Sequence, residues 1–164
     1  MSSYTIIENF LNKEDLFNLN EVILKNNFPW YSTGIVREIE DLQFCHFFYI
    51  DEKINSPFFN LIDPILIKLK VKKLIRVKAN VVLKNNTIME HGFHIDTEEK
   101  NAKTAVFYCD TNNGFTKLIS GDIIKSVENK ILIFDSKIMH TGTTCTDKPR
   151  RTVINFNYIE DEKN

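Results

Sequence analysis

The stretch HGFHIDTEEK, residues 91–100, contains two of the chain's four histidines and sets Asp96 two positions after His94. Along an extended segment successive side chains alternate sides, so if this stretch is a strand His94 and Asp96 share one face. An inward carboxylate beside an imidazole must be paired or must hold a cation, because an isolated buried charge is strongly unfavourable. A third donor is available in His140, in FDSKIMHTG at the end of the run KILIFD, where a chain turning a barrel corner can return to the first pair. Two neutral imidazoles and one carboxylate gathered on one side of a divalent ion leave the opposite coordination positions open for chemistry.

A second constellation follows in RRTVINFNYI. Thr152, Ile154, Phe156 and Tyr158 form one mostly apolar face of a strand, and Arg151, Val153, Asn155 and Asn157 the other. If the apolar face packs under helices, the polar face lines a lumen, and Arg151 rather than Arg150 points into it. A guanidinium there needs an anion, and its planar fork suits a carboxylate held by two charge-assisted hydrogen bonds, each worth about 1.5–3 kcal/mol. No acid of the right parity lies within the strand. A dicarboxylic co-substrate, one end on a metal and the other on Arg151, satisfies both constellations.

The elements that must position these residues are legible from periodicity. At 164 residues the chain is expected to be one domain, with helical support over about 1–73 and a strand-rich core over about 74–160. TIIENF reads as an opening strand. Asn12, with Asp15 in the first turn, reads as the N-cap of a helix running through DLFNLNEVILKN and ending near Asn26 and Asn27. QFCHFFYI reads as a strand. INSPFFNLIDPILIKLK reads as a second helix with Ser56 as N-cap, Pro57 at its first position, and a kink or break at Pro64. LIRVKANVVL, KTAVFYCD, FTKLI, DIIKSV, KILIFD and RTVINFNYI are short β-rich runs separated by turn residues, and Asn113-Gly114 predicts a type I′ hairpin. This cadence predicts an α+β, mainly β fold, an antiparallel double-stranded β-helix of jelly-roll or cupin-like form, with the N-terminal helices packed on one sheet.

Composition narrows the classes. The net charge of −1 supplies no overall attraction to nucleic acid or anionic membrane. A local basic run from Lys68 to Lys78 leaves nucleic acid as a possible but not favoured partner. No apolar run approaches the roughly 20 residues that span a bilayer. MSSYTIIENF lacks the pattern of a secretory signal, so a cytoplasmic location is expected. Three cysteines without CxxC spacing suggest neither a disulfide framework nor a zinc ribbon.

From Leu74 to Ile159 the sequence resembles the 2-oxoglutarate- and Fe(II)-dependent oxygenases, in particular the prolyl-4-hydroxylase-like branch and its small phage and bacterial members. The resemblance rests on HID at 94–96, on His140, and on RRTVINFNY with Arg151. It implies that His94, Asp96 and His140 are the iron ligands and that Arg151 binds the distal carboxylate of 2-oxoglutarate. It implies also that Tyr108, in AVFYCD, shares that carboxylate and that Asn80, in RVKANVVL, makes a polar contact to the co-substrate. The implied cofactors are Fe(II), 2-oxoglutarate and O2; the implied reaction is hydroxylation of a C–H bond coupled to decarboxylation of 2-oxoglutarate to succinate. The expected substrate is a protein or peptide side chain such as proline, with a nucleobase or small-molecule metabolite as alternatives. Two readings of other kinds stay open at this point: a cupin-like metal-dependent hydrolase or isomerase, and a β-sandwich without functional metal. His91 reads as a residue at the rim or behind the ligands and not as a ligand, His46 as a half-buried strand histidine or a groove residue, Asp135 as a ligand-orienting or turn residue, and the polar segment TEEKNAK as a loop that could cover the metal.

Overall fold

The computed structural model describes residues 4–35 and 38–161. In chain order the elements are β1 (Tyr4–Ile7), α1 (Lys13–Ile23), β2 (Tyr31–Ile35), β3 (Glu38–Ile50), β4 (Lys53–Ile54), a 3-10 helix (Phe59–Ile62), α2 (Asp63–Lys68), β5 (Val71–Leu83), β6 (Ala102–Tyr108), β7 (Phe115–Leu118), β8 (Ile123–Lys125), β9 (Lys130–Asp135), β10 (His140–Gly142) and β11 (Arg150–Glu160). The strands pair antiparallel in two sheets. The larger runs β1-β9-β6-β11-β5-β3-β2, with β4 on β3, and the smaller runs β10-β7-β8. This is the expected double-stranded β-helix, with the helices lying on the outer face of the larger sheet.

The helices begin largely as their sequences dictate. The Asn12 side chain accepts from the Asp15 amide at 2.8 Å and caps α1, whose Leu19 and Ile23 are fully buried. The second helix is shorter than expected. Pro64 has no N–H to bond back to the preceding turn, so the segment divides into a 3-10 helix and then α2 with Pro64 in its first turn. Ser56 therefore caps no long helix: its hydroxyl accepts from the Phe58 amide at 3.0 Å and closes a turn. Residues before 73 also supply β1 to β4, so the N-terminal part contributes strands to the larger sheet as well as helices to its cover.

Strict alternation divides the larger sheet into two chemical faces. Val77 and Ala79 of β5, Ala105 and Phe107 of β6, Ile131 of β9, and Ile154, Phe156 and Tyr158 of β11 pack outward in one core with Leu19, Ile23, Ile62 and Ile65 from the helices. The opposite face looks at the smaller sheet. There Val106 and Tyr108 of β6 and Leu132 and Phe134 of β9 meet Leu118 and Ile124 in a second core. The neighbouring strands β11 and β5 present polar side chains on this same inner face, so the space beside the second core stays open as a cavity of about 550 Å³.

The expected hairpin at Asn113-Gly114 does not form. Strand β6 pairs with β9 and β11, and β7 with β8 and β10, so the intervening segment carries the chain from one sheet to the other. Neither residue has positive φ. Gly114 is needed for a different reason: a Cβ there would lie 2.7 Å from Cδ of Arg151 and 2.8 Å from the Thr144 carbonyl oxygen. The turn signal in the sequence was real, but it reports close approach of a side chain to the backbone.

Candidate metal centre

His94, Asp96 and His140 converge, with one ligand atom from each lying within 4.8 Å of the others. Nε2 of His94 is 3.7 Å from Oδ1 of Asp96, and Nε2 of His140 is 3.7 Å from Oδ2. The segment bearing His94 is extended but belongs to no continuous strand; one isolated antiparallel bridge joins His94 to His140. Its two backbone hydrogen bonds, 3.0 Å from the His94 amide and 2.9 Å from the His140 amide, set the two residues opposite each other. Their rings consequently stand with centroids 4.6 Å apart.

Neighbouring groups orient all three donors. Nδ1 of His94 lies 3.1 Å from the Gly92 carbonyl and Nδ1 of His140 lies 3.2 Å from that of Ile138. With the proton on each Nδ1 donated to a carbonyl, each Nε2 carries its lone pair into the site, the tautomer a metal requires. Burial holds the His140 imidazole below its ordinary pKa against the upward pull of Asp96. For Asp96, burial alone pushes the pKa up, but His140, Arg76 and a hydrogen bond from Asn157 outweigh it and hold the carboxyl below its ordinary value. Oδ1 accepts from Arg76 at 3.2 Å, and Oδ2 accepts from Asn157 at 3.0 Å and Thr104 at 3.2 Å. Oδ1, with a single hydrogen bond, retains a lone pair for a metal. Two imidazoles and an anchored carboxylate fit Fe(II), and Co, Ni and Zn compete for the same donors.

Arg151 lies across the same cavity, inward as its parity predicts, while Arg150 turns outward to the Leu24 carbonyl at the end of α1. The Arg151 guanidinium is buried, donating to Ser126 Oγ at 2.8 Å and to Thr116 Oγ1 at 3.1 Å. Among the described residues no carboxylate forms an ion pair with it. The nearby Asp110 is occupied by Asn112 and the Thr152 amide. Tyr108 is fully buried beside this group, with Cζ of Arg151 5.8 Å from its ring centre. Burial pushes the Tyr108 phenol up to about 12, and its hydroxyl donates to Thr116 at 2.9 Å. Thr116, and not Tyr108, is the hydroxyl on the cavity wall. Asn80 lines the wall from β5, and its buried Oδ1 has no hydrogen-bond partner among the described residues.

The sequence did not single out Arg76, Thr104, Thr116 or Ser126. Arg76 was visible only as a member of a basic run, and the structure disperses that run. Lys68 lies 5.6 Å from the Phe10 ring centre, Lys73 pairs with Glu99, and Arg76 and Lys78 face the cavity. His91 lines the cavity. His46 is a core residue, its Nδ1 2.8 Å from the Pro29 carbonyl and its Nε2 2.7 Å from Ser56 Oγ. Asp135 is a turn residue that accepts from the Lys137 amide.

Compared by sequence, the chain matches no family model and no curated protein. Compared by structure, it superposes on an oxidoreductase of the 2OG-Fe(II) oxygenase family from Burkholderia pseudomallei with a TM-score of 0.70 at 11% identity, covering 98% of this chain and 88% of that one. The chain has the fold of the 2-oxoglutarate–Fe(II) oxygenases. A prolyl-4-hydroxylase from Pseudomonas putida shares that fold with a TM-score of 0.59 at 12% identity, over 98% of this chain and 95% of its own. HygX from Streptomyces hygroscopicus, whose structure holds nickel and 2-oxoglutarate, does so with a TM-score of 0.64 at 12% identity, over 98% and 84%. An oxygenase fold at such low identity leaves the chemistry to be argued from the side chains. Among the described residues no helix is long and apolar enough to cross a membrane.

Proposed function

We propose that the chain is an Fe(II)- and 2-oxoglutarate-dependent dioxygenase that hydroxylates a C–H bond, with His94, Asp96 and His140 as the iron ligands. The observation that carries this reading is the pairing, within one cavity, of a convergent His-Asp-His set with a buried arginine that has no carboxylate partner among the described residues. Metal and co-substrate, when bound, supply the oxidising chemistry, with succinate and CO2 as products of 2-oxoglutarate. The chain's own groups bind and orient. Arg151 holds the far carboxylate of 2-oxoglutarate through its fork, Thr116 extends the same polar wall, and Tyr108 fixes Thr116 from behind. Asn80 offers its amide to the co-substrate from β5. Val82, Val106 and Val153 give the cavity apolar patches that exclude water. No side chain is required as a general base.

A protein side chain such as proline is the favoured substrate, by likeness to the Pseudomonas putida prolyl-4-hydroxylase. The three cysteines are free and buried, which suits a reducing compartment and a cytoplasmic enzyme. The test is succinate formation from 2-oxoglutarate with Fe(II) and O2. His94→Ala is expected to lose turnover with iron binding, and Arg151→Ala to lose it through weak co-substrate binding. Wild-type rates in both variants would exclude the mechanism, and turnover without O2 would favour a hydrolase or isomerase.

A further inference from the structure

The cavity wall carries more positive charge than the proposed chemistry uses. Arg76, Lys78 and Arg151 line it, and Asp96 is the one carboxylate among its described lining residues. Arg76 is neutralised by Asp96 at 3.2 Å and also donates to Asn157. Arg151 has its role with 2-oxoglutarate. Lys78 remains. Its ammonium lies 5.4 Å from the Phe47 ring centre, and no carboxylate among the described residues comes within ion-pair distance.

Placement gives this charge a direction. Arg76, Lys78, Asn80 and Val82 alternate along the inner face of β5, so Lys78 stands one side-chain step, about 7 Å, beyond the residue that touches the metal-binding carboxylate. On the neighbouring strand Asn155 is in register with Lys78, and Asn80 follows it on β5. The Oδ1 atoms of both asparagines are buried without hydrogen-bond partners among the described residues. Lys78 thus stands on a cavity wall whose neighbouring side chains, Asn155 and Asn80, are polar and uncharged and supply no counter-charge. Burial lowers the Lys78 pKa, the unfavourable effect that a bound anion would relieve.

We propose that Lys78 is a substrate-binding residue and that the substrate bears an anionic group, a carboxylate or a phosphate, seated beside the Asn155 side chain that stands in register with Lys78. The proposal rests on the oxygenase reading for its account of the other two cations. It narrows the substrate to molecules or peptide segments that carry negative charge near the carbon to be oxidised.

The experiment uses the full chain loaded with Ni(II) and 2-oxoglutarate, so that the metal and Arg151 are already occupied. Loading is read first, by calorimetry. Inorganic phosphate, N-acetylglycine and the neutral N-acetylglycinamide are then titrated into wild type, Lys78→Met and Lys72→Met, with thermal melts confirming that each protein is folded. Phosphate or N-acetylglycine is expected to bind at least tenfold more tightly than the amide, and whichever anion does so identifies the source of the charge. That binding weakens at least tenfold in Lys78→Met, weakens with added salt, and is unchanged in Lys72→Met, where the side chain is exposed. Lys78→Arg restores it. Equal binding of amide and carboxylate without phosphate binding, no binding of either anion to wild type, or full anion binding by Lys78→Met overturns the proposal. If Ni(II) and 2-oxoglutarate fail to load, the oxygenase reading falls instead. Titration of the unloaded wild type and Lys78→Met then still decides whether Lys78 receives an anion.

Discussion

Both oxygens of Asp96 are engaged by the protein before any metal is considered, Oδ1 by Arg76 and Oδ2 by Asn157 and Thr104. A ligand carboxylate held in this way binds with little reorganisation, so groups that only touch Asp96 should govern metal affinity. Asn157→Ala is expected to weaken Fe(II) or Mn(II) binding about 10–100-fold, measured by calorimetry, without removing a ligand. At the opposite wall, replacing Arg151 by Ala removes two charge-assisted hydrogen bonds to the proposed co-substrate carboxylate. The 2-oxoglutarate Kd should rise by at least tenfold, since each such bond is worth about 1.5–3 kcal/mol. His46 makes a pH prediction of a different kind. Burial holds its pKa below the ordinary 6.5, against the pull of the Pro29 carbonyl. As pH falls through that value the unfolded chain takes up the proton first, so stability is fully present above it and declines below it. Thermal melts between pH 8 and pH 5 should show this decline, and His46→Gln should make it shallower, leaving the part that buried His140 contributes with the same sign.

At the scale of elements, β5 and β11 do most to build the site, because they lie side by side and turn the same parity inward. Their outward residues tie them to the helices, and their inward residues give Lys78, Asn80, Arg151 and Asn155 fixed places. The crossing segment before β7 holds Arg151 from the other side. Gly114→Ala would place a methyl group 2.7 Å from Cδ of Arg151 and against backbone at Thr144, where relief is limited. The expected result is about 1–3 kcal/mol of lost stability together with weaker 2-oxoglutarate binding, read by denaturant titration and calorimetry. A change at a helix start should be separable from the site: Asn12→Ala removes the cap of α1 and costs about 1 kcal/mol, with metal affinity unchanged.

At the scale of the whole molecule, two sheets meet over a half-filled interface, apolar where β6 and β9 face the smaller sheet and open where β11 and β5 do. The proposed metal ligands come from the bridged loop before β6 and from β10, so a bound ion would tie the two sheets together. Metal should therefore raise the melting temperature of the wild type. Saturation at 100 times Kd corresponds to about 2.7 kcal/mol, and the shift should vanish in His94→Ala and after chelation. Much of this organisation was readable from residue order. The alternation in RRTVINFNYI separated the helix-covered face from the lumen because a strand has a period of two whatever it pairs with, and Asn12 marked a helix start because capping is local. The spacing of His94 and Asp96 marked two members of the convergent His-Asp-His group, although the segment carrying them is an isolated bridge and no strand. What local pattern could not contain was which distant groups come together. The Asn113-Gly114 turn became a crossing between sheets, the Lys68–Lys78 run was dispersed, and Arg76 reached Asp96 through contacts set by strand order. Sequence determines the periodicity and chemical type of each face; only the pairing of β5 with β11 and the bridge from His94 to His140 decided which charges share one cavity, because those distances arise from chain segments brought together across the fold.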